Sequence, residues 1–302
     1  MDKCLEQLEE QLRAHRIECR RAEPLSRWTT FRIGGPAALF CQPRNKEELS
    51  LVIGLCRQTG ARRYFLGNGS NVLFDDAGFD GIVIEIGAAF SAIEVQGAQI
   101  AAGAGAKLAD VCLAAAGHAL SGLEFAYGIP GRVGGAVYMN AGAYGGEIKD
   151  VLVSATFLDE LGGEHTIPAG ELEMGHRTSL FAKKPWCIVS ARFALTPGNE
   201  EEVRAKMDDF TARRAEKQPL DMPSAGSMFK RPPGAFAGAL IDECGLRGFS
   251  VGGAAISEKH CGFVVNLGNA TCADVIALTD EVRRIVQEKT GYVLEREVRV
   301  VK

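Results

Sequence analysis

Two glycine-rich stretches carry the densest chemical signal in this sequence of 302 residues. In Phe65-Leu66-Gly67-Asn68-Gly69-Ser70-Asn71-Val72-Leu73, an apolar run enters two glycines, then Ser and Asn, then apolar residues again. Such a turn can aim successive backbone N–H groups at one point, and the Ser70 and Asn71 side chains can add donors to phosphate oxygens. The second stretch runs from Gly128-Ile129-Pro130-Gly131 through Gly134-Gly135-Ala136 to Asn140-Ala141-Gly142-Ala143-Tyr144-Gly145-Gly146. Small residues at so many positions permit close backbone approach to a flat ligand or its phosphates. One isolated Gly-x-Gly reads first as an ordinary turn. Two dense clusters shift the balance toward a diphosphate cradle. Neither cluster completes G-x-G-x-x-G, because Val72 stands where the last glycine belongs after Gly67-Asn68-Gly69, and Leu108 does so after Gly103-Ala104-Gly105. A G-x-x-x-x-G-K-[ST] loop is absent as well, so a Rossmann dehydrogenase or a P-loop enzyme is unsupported.

Other polar residues are ambiguous when read alone. Ser227, in Ala225-Gly226-Ser227, has the context of a turn residue or a cap. Glu297 would share one face of a period-2 strand with Val293, Glu295 and Arg299, a pattern that solvated strands also show. Lys217 closes a charged helix, and His260 reads as a packed or capping histidine rather than a base. The nine cysteines form no C-x-x-C pair, which disfavours disulfides and structural zinc. No metal is expected. A net charge of −4 without a long basic run argues against nucleic acid as a partner. The longest apolar stretch, Ile100 to Leu120, is broken by Lys107, Asp110 and His118, so no membrane span is expected. The charged start Met1-Asp2-Lys3 lacks the apolar segment of a signal peptide, and a reducing cytoplasm is the expected compartment.

The elements that must position these groups follow from periodicity. Leu5, Leu8 and Leu12 predict a surface helix over residues 2–15. A small β-α-β unit is expected from Phe40 through a helix at 46–60 to a strand at 63–67. Further strands are predicted at 81–86, 92–95, 99–102, 151–159, 164–167, 187–195 and 292–301, with helices at 107–119, 201–217, 236–244 and 273–290. Gln218-Pro219-Leu220-Asp221-Met222-Pro223 looks like a break between domains. Strands and helices mix without a regular repeat, which favours α+β over a doubly wound sheet. The expected division is residues 1–80, 81–199 and 200–302.

Thr29-Thr30-Phe31-Arg32-Ile33-Gly34-Gly35-Pro36-Ala37, the two glycine-rich loops, Ser224-Ala225-Gly226-Ser227-Met228-Phe229-Lys230-Arg231-Pro232, Ala239-Leu240-Ile241-Asp242, Gly245-Leu246-Arg247-Gly248 and Leu294-Glu295-Arg296-Glu297-Val298-Arg299 together resemble UDP-N-acetylenolpyruvoylglucosamine reductases. The resemblance spans roughly Pro24 to Lys302. It implies a two-part FAD-binding domain of the vanillyl-alcohol-oxidase-like (PCMH) type at 1–80 and 81–199, followed by an α+β substrate-binding domain. The family reduces the enolpyruvyl ether of UDP-N-acetylglucosamine to the lactyl ether of UDP-N-acetylmuramate for peptidoglycan. NADPH reduces non-covalent FAD, hydride passes to the terminal enolpyruvyl carbon, and a proton reaches the adjacent carbon.

Carried over by motif, the resemblance assigns the proton donor to Ser227, the carboxylate-holding cation to Arg177 in His176-Arg177-Thr178-Ser179, and polarisation of that carboxylate to Glu297. FAD would be held by Gly67, Asn68, Gly69, Ser70, Asn71, Gly128, Ile129, Pro130, Gly134, Ala136, Asn140, Ala141 and Gly142. Lys217, Arg231 and Tyr144 would serve the UDP-sugar substrate. Two departures stand out: His176 occupies a position that is often Tyr, and the 49 residues between Arg177 and Ser227 match the shorter branch, which lacks a tyrosine-bearing loop. Oxidases of the same superfamily often attach FAD through His or Cys in these loops, and residues 67–73 and 128–146 contain neither. A nucleotide-sugar sensor without chemistry would have no need of Arg177, Ser227 and Glu297 together. A monomer is compatible with these motifs.

Overall fold

The computed structural model describes residues 3–302, so the N-terminal expectations for Met1 and Asp2 lie outside them. Contacts divide the chain into two compact units. One comprises the segment through Arg21 with Leu39–Asn68 and Gly81–Arg213, and the other Ala22–Ala38, Gly69–Asp80 and Arg214–Lys302. Two short segments from the first 80 residues thus group with the C-terminal stretch, an arrangement that a division along the sequence does not capture.

In the first unit, the helix Lys3–Ala14 buries Leu5, Leu8 and Leu12 on one stripe against the helix Lys46–Thr59. The second of these is well delimited. Asn45 Oδ1 accepts the Glu48 N–H at 2.8 Å, and Gly60 ends the helix in the left-handed conformation at φ 75°. Strand Arg63–Leu66 pairs in parallel with Ile82–Glu85 of strand Phe79–Glu85. That strand lies between Arg63–Leu66 and Pro36–Cys41, so the expected β-α-β unit is present with a strand inserted between its two strands. A five-stranded antiparallel sheet runs in the order Glu164–Pro168, Leu152–Leu158, Cys187–Ala194, Gln99–Gly103, Ile93–Gln96. The short helix Val133–Met139, which continues the second glycine-rich loop, packs on the central strand Cys187–Ala194.

The second unit has an antiparallel sheet ordered Ser224–Ser227, Phe263–Asn266, Ala254–Ile256, Ser250–Val251. Helices Ala237–Glu243 and Cys272–Thr290 close its core, where Ile241, Ile256, Val264, Leu278, Val282 and Val286 are at most 1% exposed. Each such aliphatic side chain contributes about 1.5–3 kcal/mol through burial. The C-terminal strand is shorter than predicted. Only Arg299–Val301 is a strand, parallel to Val72–Phe74, while residues 292–298 are irregular apart from an isolated bridge between Arg296 and Phe229. Mixed helices and mainly antiparallel sheets make the chain α+β.

Among the described residues no helix is long and apolar enough to cross a membrane, and no group of three or more His, Cys, Asp and Glu could hold a metal ion. Seven of the nine cysteines are buried. Burial pushes the Cys56 and Cys112 thiols up to about 12, which keeps them protonated and inert.

Candidate active site

In the first unit, strand Arg63–Leu66 delivers the chain into Gly67 and Asn68. No described residue accepts from their backbone N–H groups, and the space beside Gly67 is open. Asn68 Nδ2 donates to the Pro130 carbonyl at 2.9 Å, which pins this loop to the second glycine-rich stretch. There, Val133 N–H donates to Ala106 O and Gly134 N–H to Ala104 O, both at 2.9 Å. Gly134 lies so close to the strand end that a Cβ would come within 3.0 Å of the Ala104 Cβ. Gly135 faces the other way, exposed and open, and its N–H, like that of Gly128, meets no acceptor among the described residues. Ala136 is buried beneath it at 3% exposure. The unit therefore presents unfilled main-chain donors beside residues that leave room for a ligand, the requirement of a diphosphate group.

Sequence reasoning missed the brace beneath this cradle. Arg132, within the glycine run, donates to Gly105 O at 2.6 Å and to Glu85 Oε1 at 3.2 Å, and Gln42 Nε2 donates to the other carboxylate oxygen at 3.1 Å. Glu85 is only 4% exposed. Removing one partner of such a buried pair costs about 3–5 kcal/mol. The available signals were an arginine interrupting a glycine run and a lone glutamate in the apolar strand Ile82-Val83-Ile84-Glu85-Ile86.

Arg177 sits in a tight turn closed by Gly175 N–H to Thr178 O at 3.0 Å and by the reciprocal bond at 3.4 Å. Its backbone is left-handed at φ 56°, which is unusual for a residue with a side chain. Its Nη2 donates to Gly142 O at 3.0 Å. Gly142–Ala143 and Gly146–Glu147 form a second hairpin, with Tyr144 at φ 51° and Gly145 at φ 88° in its turn. Tyr144 is 40% exposed and stacks on Phe210 with centroids 4.4 Å apart. Asn140 differs from its expected role. It is 1% exposed; its amide donates to Glu147 Oε2 and Gly175 O, and its Oδ1 accepts the Lys149 N–H. Both amide hydrogens and one lone pair of Oδ1 are thus engaged within the protein, which leaves the side chain no donor for a cofactor.

In the second unit, Gly69 is buried and left-handed at φ 61°, and a Cβ there would overlap the Trp28 carbonyl. Its role is to let the chain pass close to residues 28–30, with its carbonyl accepting the Thr30 N–H at 3.1 Å. Ser70 follows, half-buried. Asn71 Nδ2 points at the Glu297 carbonyl at 3.4 Å, and the Asn71 backbone carbonyl accepts the Arg299 N–H at 3.2 Å, so side chain and backbone of this residue together hold the 297–299 segment. Glu297 itself is half-buried, and its N–H donates to Met228 O at 2.9 Å. That bond places Glu297 beside the residue following Ser227.

Ser227 ends a strand whose register slips between Ser224 and Ser227, where Gly226 at φ 78° forms a bulge. Bulges of this kind redirect a side chain, and Ser227 is exposed. Lys217, the last residue of helix Glu200–Lys217, is exposed, and Arg231 lays its guanidinium over the Phe236 ring, 3.9 Å from the centroid.

His260 is half-buried, and its Nδ1 accepts the Gly262 N–H at 3.0 Å. Burial lowers its pKa from the usual imidazole value. The unfolded chain then binds this proton at higher pH than the folded chain, so stability is full above the unfolded pKa of about 6.5 and falls as pH drops below it. His260→Gln should reduce the loss of melting temperature between about pH 7.5 and 5.5. An unchanged difference would assign the pH dependence to other groups.

Residues 218–301 match the C-terminal domain of UDP-N-acetylenolpyruvoylglucosamine reductase, and residues 37–167 match an FAD-binding domain. Arg177 and Asn199 to Lys217 fall between these two matches. The UDP-N-acetylenolpyruvoylglucosamine reductase of Lachnoclostridium phytofermentans is 46% identical over 301 residues, covering 98% of this chain and 96% of that protein. The one of Agathobacter rectalis is 50% identical over 291 residues, covering 92% of each. Among solved structures, the crystal structure of UDP-N-acetylenolpyruvylglucosamine reductase from Thermus caldophilus superimposes with a TM-score of 0.81 at 38% identity, covering 95% of this chain and 99% of that one.

Proposed function

Since the chain belongs to the UDP-N-acetylenolpyruvoylglucosamine reductase family, we propose that it reduces the enolpyruvyl ether of UDP-N-acetylglucosamine to UDP-N-acetylmuramate, a peptidoglycan precursor. The observation that carries this reading is identity of 46% sustained over 98% of the chain. FAD fits the chain on physical grounds as well, because the open N–H groups of Gly67, Asn68, Gly128 and Gly135 suit its diphosphate. When bound and reduced by NADPH, FAD would supply the hydride for the terminal enolpyruvyl carbon.

The chain's own residues do the rest. Arg177 holds the substrate carboxylate, and its guanidinium stabilises the negative charge that builds there once the double bond accepts hydride. Glu297 hydrogen-bonds the same carboxylate. The Ser227 hydroxyl gives its proton to the carbon next to the carboxylate, so that hydride and proton together saturate the double bond. Serine is a weak acid, but a carbanion-like acceptor is far more basic than the groups serine usually meets. Tyr144, Lys217 and Arg231 serve the UDP portion, the two cations supplying charge for the diphosphate. The reading places the reaction in the cytoplasm and lets a monomer carry it out.

The purified protein should be yellow, bleach when NADPH is added, and regain its colour with the enolpyruvyl substrate. A protein that stays colourless after incubation with FAD would remove the flavin reading. Bleached protein that the substrate fails to reoxidise would remove the substrate assignment.

A further inference from the structure

The geometry points to Asn140 as a positioning residue that fixes the direction of Arg177, rather than as a ligand of the cofactor. This inference rests on the functional reading above, because the direction of Arg177 matters only if it holds the substrate carboxylate. Asn140 caps the helix Val133–Met139 in the left-handed conformation at φ 44°, a region asparagine tolerates better than most residues. From there its side chain reaches three places at once. Nδ2 donates to Gly175 O at 2.9 Å, at the base of the Arg177 turn, and to Glu147 Oε2 at 3.0 Å, while Oδ1 accepts the Lys149 N–H at 3.0 Å.

The Arg177 turn is therefore held to the Gly142–Glu147 hairpin by two independent links. One is Asn140 to Gly175 O, and the other is Arg177 Nη2 to Gly142 O at 3.0 Å. The hairpin has little freedom of its own. Gly142 packs so closely on Glu147 that a Cβ would come within 2.8 Å of the Glu147 Cγ. The Glu147 carboxyl is held below the usual range by its hydrogen bond from Lys149, then by that from Asn140 and by the nearby charges of Lys149 and Arg177. Glu147 is thus a fixed anion whose charge interacts with the Arg177 guanidinium. A guanidinium anchored at one nitrogen beside a fixed carboxylate is held in one orientation, which is the condition for acting on a charge that develops during reaction.

Asn140→Gly tests this cleanly, because glycine keeps the left-handed backbone and removes only the clamp. The expected result is unchanged FAD content and NADPH bleaching, weaker binding of substrate to the oxidised protein, and reoxidation slowed by about 10- to 100-fold. In an Arg177→Ala background the same change should add less than about twofold, since a residue acting through Arg177 has nothing left to position. Additive losses, loss of FAD, or reoxidation equal to the parent would each overturn the inference. Asn140→Asp, which retains the acceptor for Lys149 and removes both donors, should show the same split. Failure of both variants to fold would make the residue a structural support instead. Failure of the functional reading is distinct, since it appears in the parent, whose bleached flavin would stay reduced in the presence of substrate.

Discussion

Ser227→Ala leaves the flavin fully reducible by NADPH and slows its reoxidation by the enolpyruvyl substrate by about 10²- to 10⁴-fold, the range for loss of a positioned general acid. The two half-reactions separate because the serine has no part in the first. Its fold is not at stake either. Ser227 is exposed at the end of a bulged strand, and the bulge is made by Gly226, so removing one oxygen leaves the backbone path unchanged. Met228 N–H still donates to Gly262 O at 2.8 Å, and Glu297 N–H to Met228 O at 2.9 Å. What disappears is a proton source held at a fixed place, and water is left as its substitute. Rapid mixing of bleached variant with substrate reads the effect directly. Equal reoxidation rates in variant and parent would refute the acid role.

Much of the first unit was legible in the sequence because its signals are local. The helix predicted at 46–60 is observed at Lys46–Thr59, with a side-chain cap before it and a glycine after it. The strands expected at 151–159 and 187–195 are observed at Leu152–Leu158 and Cys187–Ala194. The sheet of the second unit was missed because Ser250–Val251 and Ala254–Ile256 are too short to show a period, and Ala254–Ile256 is buried throughout. The predicted strand at 292–301 failed for the opposite reason. Glu295, Glu297 and Arg299 alternate convincingly, yet hydrogen bonds from Lys230 to Glu295 O and from Glu297 to Met228 O tie this segment to one neighbour only at intervals.

The site shows the same contrast. Motif identity led to Ser227, Glu297 and Arg177, but not to the support around them, which is made across long separations. Asn71 reaches Glu297 O, Thr30 Oγ1 donates to Ser224 O at 2.7 Å, and the Asp76 carboxylate accepts the Cys272 and Ala273 N–H groups at the start of the helix Cys272–Thr290. The last of these places an anion at a helix N-terminus nearly two hundred residues further along the chain. No window of sequence contains such a pair. The same distance explains why Ala22–Ala38 and Gly69–Asp80 belong with the C-terminal stretch. The resemblance assigns Asn140 to the cofactor, and only its three hydrogen bonds show that both side-chain donors are turned into the protein.

Arg177→Lys should leave FAD content and NADPH bleaching as in the parent, and cut the substrate half-reaction by about 100-fold, equivalent to about 2.7 kcal/mol of transition-state stabilisation. Charge alone does not account for so large a loss, because lysine keeps it. The difference is geometric. Arg177 holds Gly142 O through one nitrogen of a planar fork, whereas a lysine ammonium is a single point that cannot brace itself on Gly142 and meet a carboxylate in two places. Backbone strain cancels from the comparison, since lysine at φ 56° is no worse placed than arginine. Arg177→Ala, lacking the charge as well, should lose more still, and the gap between the two variants measures what charge contributes without the fork. Loss of FAD in Arg177→Lys would show instead that the arginine supports the cradle, and a half-reaction as fast as the parent's would show that a point charge suffices for the carboxylate.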